Sequence, residues 1–372
     1  MIPRLGGRFR LNSSKRLFIS SLAFASGWMS LSFTFPLLAR NLGFSYSVIG
    51  LIGMSGAVPF IAVSYLFRHS TTRVLRIGTA LSLTALVSLS IAMVFGYERY
   101  FLPIALLASL FQAPWWISNE IALGGMEGSN NAEKYSIGWG LPNAAAPLVM
   151  GAVIGAFGFR YVFFFAAAAF TLSIYFTQKL NVVLEQRQHG RTELKYVTSL
   201  FFSGLFSGFE YYVLEPLMRS LGYAYYLIGF IVGIYGVMVA IGFIVLNYSK
   251  ELEPWHYSVI SASLVFPTII LAFENSALII IGVSLASGLG VSVSMSKILS
   301  YIAKTSDTRT GVYYYESMFG LGFIIGSLGE GTLLQIMGNF TIFFLFLWSG
   351  VYAAAIIIYV KLRSLAVTPS RP

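Results

Sequence analysis

The chain has 372 residues, of which 57% are hydrophobic and 10% are charged, whereas soluble proteins carry about 25% charged residues. This composition, with a mean hydropathy of +0.76, argues against a soluble globular enzyme, a disordered chain and a fibrous protein. The absence of cysteine excludes disulfides, thiolate metal sites and cysteine nucleophiles. We attribute the net charge of +10 to the cytoplasmic loops of a membrane protein and not to nucleic-acid binding.

Twelve apolar stretches are long enough to cross a bilayer as helices, because a helix needs about 20 residues to cross about 30 Å of hydrocarbon. In chain order, spans 1 to 12 are predicted at 17–39, 48–67, 77–96, 101–122, 135–157, 161–178, 196–218, 222–247, 257–273, 277–297, 312–337 and 340–361. Pro103 and Pro114 in span 4, and Pro142 and Pro147 in span 5, predict kinks in these helices.

The distribution of basic residues predicts the orientation. If the N-terminus is cytoplasmic, twenty of the 24 Lys and Arg residues fall in inner segments, and only Arg40, Arg99, Arg160 and Arg219 fall in outer loops. Cytoplasmic loops collect basic residues, so both termini are predicted in the cytoplasm. The first apolar stretch is too long for a signal-peptide core and lacks a cleavage site, so we expect it to be retained. The sequence thus predicts a multi-pass protein of the cell membrane.

The chain is predicted to consist of two related halves. The polar segment 179–195 is expected to be a cytoplasmic linker between an N-terminal six-helix bundle, 1–178, and a C-terminal one, 196–372. The sequence RNLGFSYSVIG at 40–50 matches RSLGYAYYLIG at 219–229 at an offset of 179, and spans 5 and 11 match at an offset of 180. Two blocks at corresponding places in the halves indicate a parallel repeat.

A more specific pattern leads from span 5 into span 6. It combines a proline, a glycine-spaced face and a glycine–aromatic–arginine sequence at Pro147, Gly151, Gly155, Gly158, Phe159, Arg160 and Phe163. Together with the repeat, this segment resembles the fifth-helix region of the major facilitator superfamily. The resemblance implies an all-α membrane protein with twelve transmembrane helices in two six-helix pseudo-repeats. It also implies that spans 1, 4, 7 and 10 line a cavity, while spans 3, 6, 9 and 12 support them from outside.

The loop between spans 2 and 3 departs from the superfamily's pattern. Residues 66–78, LFRHSTTRVLRIG, keep its basic end but lack its acidic residue and glycines, so the usual inner-gate salt bridge has no acid here. The candidates for an inner gate are Arg73, Arg76, Glu120, Lys297 and Glu316. Lys297 and Glu316 are expected to pair across adjacent helices, or Lys297 only extends its ammonium group to the lipid headgroups.

Two glutamates lie deep within predicted spans, Glu210 in span 7 and Glu330 in span 11. An ionisable side chain at the centre of a membrane helix costs about 2.5–3.5 kcal/mol on insertion scales. Burial disfavours the charged form of a carboxylate, so such a group can exchange a proton near neutral pH. We therefore predict that Glu210 and Glu330 couple proton movement to solute movement. The alternative for each is an interhelical hydrogen bond.

Aromatic and amide side chains on spans 1, 4 and 7 are the candidates for contacts with a solute. They are Trp28, Gln112, Trp115, Trp116, Asn119 and Tyr211. Aromatic faces stack on planar groups and attract cations. The alternative for any single tryptophan is packing against lipid or the protein core.

The sequence predicts a secondary active transporter that works by alternating access. Transport driven by ATP is not expected, because the sequence has no phosphate-binding loop. Deep acids without deep basic partners favour a small cationic or amphipathic solute, with proton coupling. A neutral solute such as a sugar or nucleoside, and a non-transporting sensor on the same scaffold, are the alternatives. A membrane enzyme is not expected, since Asp307 is the only aspartate. The expected partners are a small-molecule solute, protons and the bilayer, with no cofactor, metal or nucleic acid, for a monomeric chain.

Overall fold

The computed structural model describes residues 13–68, 70–123, 131–177, 197–248, 252–305 and 308–367. Within these ranges the regular elements are all helical, and no strand is present. The predicted linker 179–195 lies outside the described residues, so the boundaries of the two bundles stay a prediction.

The N-terminal half contains spans 1 to 6. The helices are Ser13–Asn41, Tyr46–Arg68, Thr72–Phe111, Ala113–Leu123, Asn131–Phe157 and Arg160–Thr177. Non-helical backbone at Gly96 and Tyr100 divides the third of these helices, so it contains span 3 and the first part of span 4. The remainder of span 4 begins after Gln112, with Pro114 in its first turn, where proline removes no helical hydrogen bond.

The C-terminal half contains spans 7 to 12. The elements are Ser199–Phe209, a π-helical turn Glu210–Leu214, Glu215–Ser220, Tyr225–Tyr248, Pro254–Val265, a 3₁₀ segment Phe266–Ala272, Ala277–Thr305, Thr308–Ile324, a second π-helical turn Ile325–Gly329, Glu330–Met337 and Phe340–Val367. The π turns interrupt spans 7 and 11. Such turns occur often at functional sites.

The described residues include eleven helical segments that are long and apolar enough to cross a membrane. Span 7 is the twelfth, because its two α-helical pieces and its π turn run without a gap from residue 199 to residue 220. Within an apolar stretch of 18 residues in each span, 28–39% of the residues are buried in spans 3, 6, 9 and 12, against 44% or more in spans 1, 2, 4, 5, 8, 10 and 11. The chain is therefore an all-α, multi-pass membrane protein whose third, sixth, ninth and twelfth spans lie outermost.

The predicted repeat is present in the fold. The guanidinium of Arg40 lies 4.9 Å from the ring centre of Tyr46, and that of Arg219 lies 4.4 Å from the ring centre of Tyr225. Both pairs stand at the same end of the bundle, opposite the end where span 1 starts and span 12 ends. We call these ends the far side and the termini side. That the termini side is cytoplasmic stays a prediction.

Glycines allow the two halves to approach each other closely. Spans 5 and 8 pack together along their length, as do spans 2 and 11. A Cβ atom on Gly151 would lie 2.6 Å from the backbone oxygen of Tyr225, and one on Gly50 would lie 2.5 Å from that of Ser327. These separations are too short for any side chain, so the interfaces between the halves depend on glycine.

Candidate solute cavity

A central cavity lies between the halves. Its lining comes from spans 1, 2, 4 and 5 of the N-terminal half and spans 7, 8, 10 and 11 of the C-terminal half. Its volume is about 110 Å³, measured as the space open to the centres of water molecules. One water needs about 10–15 Å³ by this measure, so the cavity has room for a small organic molecule.

Aromatic rings form much of the wall. Trp28, Trp116, Trp139, Tyr211 and Tyr235 all contribute to the lining. The rings of Trp116 and Trp139 meet edge to face, with centres 6.2 Å apart. Edge-to-face packing holds these rings in place and leaves a wall suited to planar or cationic groups.

Span 4 presents only part of its predicted cluster to the cavity. Gln112 and Trp116, four residues apart, line it. Trp115 does not, because its ring stacks on Phe24 with centres 3.9 Å apart. Asn119 is also absent from the lining, and its amide Nδ2 donates to the backbone oxygen of Trp115 at 2.7 Å. The two pairs lie on neighbouring faces of the helix, since residues four apart share a face.

A side-chain hydrogen bond joins the halves within the cavity wall. The hydroxyl of Tyr211 on span 7 donates to Oδ1 of Asn143 on span 5. Both residues line the cavity, and both are buried. Asn143 was not predicted from the sequence, although an amide between Pro142 and Pro147 in an apolar span was a usable signal.

Two acidic side chains, Glu120 on span 4 and Glu316 on span 11, line the cavity towards its termini side. They are 5% and 3% exposed, and Oε2 of Glu120 is buried without a hydrogen-bond partner among the described residues. Tyr135 on span 5 lies beside them. Its hydroxyl is buried and completes no hydrogen bond with the described residues.

Glu210 lies outside the lining, although its neighbours Tyr211 and Tyr212 belong to it. Glu210 opens the π turn of span 7, and the backbone N–H of Glu215 bonds to its backbone oxygen. This bond stacks the two glutamates one turn apart. Both are fully buried, and none of their carboxylate oxygens has a hydrogen-bond partner among the described residues.

Glu330 also lies outside the lining, at the start of the helix that follows the π turn of span 11. Its Oε1 accepts a hydrogen bond from the hydroxyl of Thr341 on span 12 at 2.6 Å. Its Oε2 is buried and has no such partner within the described chain. The Thr341 contact is an interhelical hydrogen bond within the C-terminal half.

The halves also touch on the termini side of the cavity. The guanidinium of Arg309, in the first turn of span 11, donates to the backbone oxygen of Ser70 at 2.7 Å. The rings of Tyr65 and Tyr313 meet with centres 5.9 Å apart. These contacts were not predicted from the sequence, although Arg309 carries a charge just before predicted span 11.

The remaining gate candidates lie elsewhere on the termini side. Arg73 and Arg76 are exposed at the start of span 3, and Lys297 is 7% exposed on span 10. An ion pair between Lys297 and Glu316 stays a prediction.

On the far side, the two halves meet through polar side chains. The Nε of Arg40 donates to the hydroxyl oxygen of Ser220 at 2.9 Å, and the hydroxyl of Ser47 donates to Oε1 of Gln335 at 3.0 Å. The halves are therefore in contact at both ends of the central cavity.

Comparison with known proteins adds information at the level of structure. No protein-family model matches the sequence, and a search of curated proteins finds no match. The human organic anion transporter MFSD10 (TETRAN) is similar in structure, with a TM-score of 0.66 and 13% identity over 93% of this chain and 99% of that one. The nucleoside transporter NupG has a TM-score of 0.66 and 15% identity over 94% and 100% of the chains. The chain thus has the major facilitator superfamily fold.

Proposed function

We propose that the chain is a secondary active transporter, which moves a small cationic or amphipathic organic solute through the central cavity by alternating access. The observation that carries this proposal is the position of the cavity, between two repeat-related halves that touch at both of its ends. Rocking of such halves exposes a midplane site to either side of the membrane in turn.

The side chains of the lining support a cationic solute. Glu120 and Glu316 are its acidic members, and the described lining contains no Lys, Arg or His. A cation gains from these carboxyl groups and from the aromatic faces of the wall. A phosphate ester or dicarboxylate would meet acids and no basic partner. Proton coupling is part of the proposal, with Glu210 and Glu330 as coupling residues predicted from the sequence.

A neutral solute, such as a nucleoside, is the second candidate. It is favoured by the polar groups of the wall, above all the amides of Gln112 and Asn143, and by the structural likeness to a nucleoside transporter. Amide groups hydrogen-bond hydroxyls and ring nitrogens without requiring charge on the solute.

Uptake into proteoliposomes under an imposed pH gradient tests the proposal. Three solutes that share one aromatic ring, and carry an ammonium group, a hydroxyl or a carboxylate, separate the candidates. We expect accumulation of the ammonium compound, driven by the gradient. Accumulation of the hydroxyl compound alone would favour the second candidate, and accumulation of the carboxylate alone would contradict both.

Two variants connect the flux to the cavity. Trp116→Leu removes an aromatic face from the wall, so we expect it to lower uptake of the ammonium compound. Trp348→Leu is the matched control, since this side chain on span 12 is 65% exposed and lies outside the lining. Thermal unfolding checks that both variants fold. A solute that raises the unfolding temperature without being transported would favour the sensor alternative.

A further inference from the structure

We propose that the central cavity binds its solute lengthwise, in three tiers that recognise different chemical groups. From the termini side to the far side these are an acid tier, an indole tier and an amide tier, formed by Glu120 with Glu316, Trp116 with Trp139, and Gln112 with Asn143. The preferred solute is then an elongated organic cation, with a planar ring in its middle and a neutral hydrogen-bonding group at the end opposite its charge. This inference names the substrate class of the proposed transport function and rests on it, whereas the tiers themselves are tested by binding.

The spacing of the lining residues on span 4 is the first argument. Gln112, Trp116 and Glu120 are the residues that this span, among its described residues, contributes to the lining. Residues four apart share a face of a helix and stand one turn, about 6 Å, from each other. Span 4 thus presents an amide, an indole and a carboxyl group in one row, with the amide towards the far side.

Span 5 repeats part of this order on a second wall of the cavity. Trp139 and Asn143, which also stand four residues apart, both line the cavity. The rings of Trp116 and Trp139 meet edge to face with centres 6.2 Å apart, so the two indoles lie at one level. Because spans 4 and 5 run in opposite directions, Gln112 and Asn143 both lie one turn from the indoles towards the far side.

The amide tier can bind a neutral polar group of the solute. Oδ1 of Asn143 accepts the hydrogen bond from Tyr211, so Nδ2 of Asn143 is the atom left to donate. Gly56 on span 2 gives the other amide its space, because a Cβ on Gly56 would lie 2.9 Å from Nε2 of Gln112. An amide both donates and accepts hydrogen bonds, so the tier suits a carboxamide or a hydroxyl group.

The acid tier recognises the charged end of the solute. Glu120 and Glu316 contribute two carboxyl groups, and an ammonium group is attracted to a carboxylate and donates hydrogen bonds to it. Lys297 on span 10 bears on this charge balance. It is 7% exposed and lies outside the lining. One lysine neutralises at most one carboxylate, so one acid of the tier remains for the solute even if Lys297 pairs with the other.

Binding of three ligands to the purified protein in lipid nanodiscs tests the tiers, with isothermal titration calorimetry as the measurement. In para-(aminoethyl)benzamide, an ammonium group and a carboxamide stand at opposite ends of one ring. Phenylethylamine lacks the carboxamide, and para-ethylbenzamide lacks the ammonium group. We expect the first ligand to bind most tightly. Its meta isomer should bind less tightly, because the same two groups are no longer in line.

Each tier has a variant that should affect only the ligands that reach it. Gln112→Leu should weaken binding of para-(aminoethyl)benzamide about three- to tenfold, as expected for the loss of a neutral hydrogen bond, and should leave phenylethylamine unaffected. Glu120→Gln should weaken binding of both amines and leave para-ethylbenzamide unaffected. Trp116→Leu should weaken binding of all three ligands.

Matched controls and a second variant make these effects specific. Asn119→Leu and Glu215→Gln remove an amide on span 4 and a buried carboxyl group that lie outside the lining, so binding should not change. Gly56→Ala tests the amide tier with Gln112 in place, because its Cβ displaces Nε2 of that side chain. It should weaken binding of para-(aminoethyl)benzamide but not of phenylethylamine. Unfolding temperatures without ligand check that each variant folds.

The proposal is overturned if Gln112→Leu and Gly56→Ala weaken binding of both amines equally, or if Glu120→Gln affects neither amine. It is also overturned if the meta isomer binds as tightly as the para compound, or if none of the three ligands binds. The predicted pattern of binding in a protein that shows no flux would support the tiers and contradict the transport function. Flux in a protein without this pattern would contradict the tiers and leave the transport function intact.

Discussion

The hydroxyl of Tyr211 on span 7 donates a hydrogen bond to Oδ1 of Asn143 on span 5, and this bond ties the two halves together in the wall of the central cavity. Tyr211 stands in the π turn of span 7, and the polar atoms of both side chains are shielded from bulk solvent. Movement of the halves must therefore either pivot about this bond or break it.

Tyr211→Phe should weaken the closed state, because it leaves Oδ1 of Asn143 buried without a donor, at a cost of about 1–3 kcal/mol. We expect a lower unfolding temperature and altered solute flux. The matched control is Tyr352→Phe, which removes a hydroxyl that pairs with Thr198 inside the C-terminal half. Thermal unfolding and proteoliposome flux check this. Equal effects of both variants on flux would show that the bond between the halves has no special role.

Gly151→Ala should impair packing between spans 5 and 8, because its Cβ would lie 2.6 Å from the backbone oxygen of Tyr225. We expect reduced thermal stability and reduced flux. Gly155→Ala, one turn further along the same helix, is the control, since a Cβ there meets nothing within 4 Å. Alanine is favoured over glycine in a helix by about 0.5–1 kcal/mol, so this variant should be as stable as the parent or more so. If Gly155→Ala lowered thermal stability and flux more than Gly151→Ala does, the role assigned to Gly151 would be refuted.

Glu210→Gln and Glu215→Gln should leave thermal stability unchanged or raise it. The carboxylate oxygens of both residues are buried, and no described residue bonds to them, so the parent bears the cost of burying these groups. A neutral amide of the same shape lowers that cost. A large loss of stability in either variant would show that the carboxyl group has a partner in the folded protein.

Glu330→Gln tests the coupling role predicted from the sequence. The amide oxygen can still accept the hydrogen bond from Thr341, so we expect the fold to be preserved. If Glu330 couples protons, flux in this variant should no longer respond to an imposed pH gradient. A parent-like response in both Glu330→Gln and Glu210→Gln would contradict the prediction for these two residues.

Arg309→Ala should loosen the termini side, because it removes the bond from the guanidinium to the backbone oxygen of Ser70. The distance between spin labels on Val74→Cys and Leu362→Cys, which are both exposed on the termini side, should be longer than in the same labelled protein with Arg309 intact. Arg76→Ala is the comparison, since Arg76 was predicted as a gate residue and is exposed at the start of span 3. A larger effect of Arg76→Ala would favour the gate predicted from the sequence.

The face of span 4 that meets the cavity could not be assigned from its sequence. Four residues, Gln112, Trp115, Trp116 and Asn119, were predicted as one cluster, and the structure places only Gln112 and Trp116 in the lining. A soluble helix shows its buried face as an apolar stripe. In a membrane helix, lipid and protein core are both apolar. The sequence of span 4 therefore carried little information about the rotation of the helix around its own axis.

The sequence by itself determined the twelve spans, their repeat and the fold class, because hydropathy and internal similarity are properties of consecutive residues. The tertiary structure decided which residues meet across the halves: Tyr211 with Asn143, Arg309 with Ser70, and Arg40 with Ser220. Arg309 and Ser70 are separated by 239 residues, and their contact depends on the rotation of two helices and on the packing of two bundles. No local pattern encodes these quantities, so the contacts between the halves could be recognised only in the folded chain.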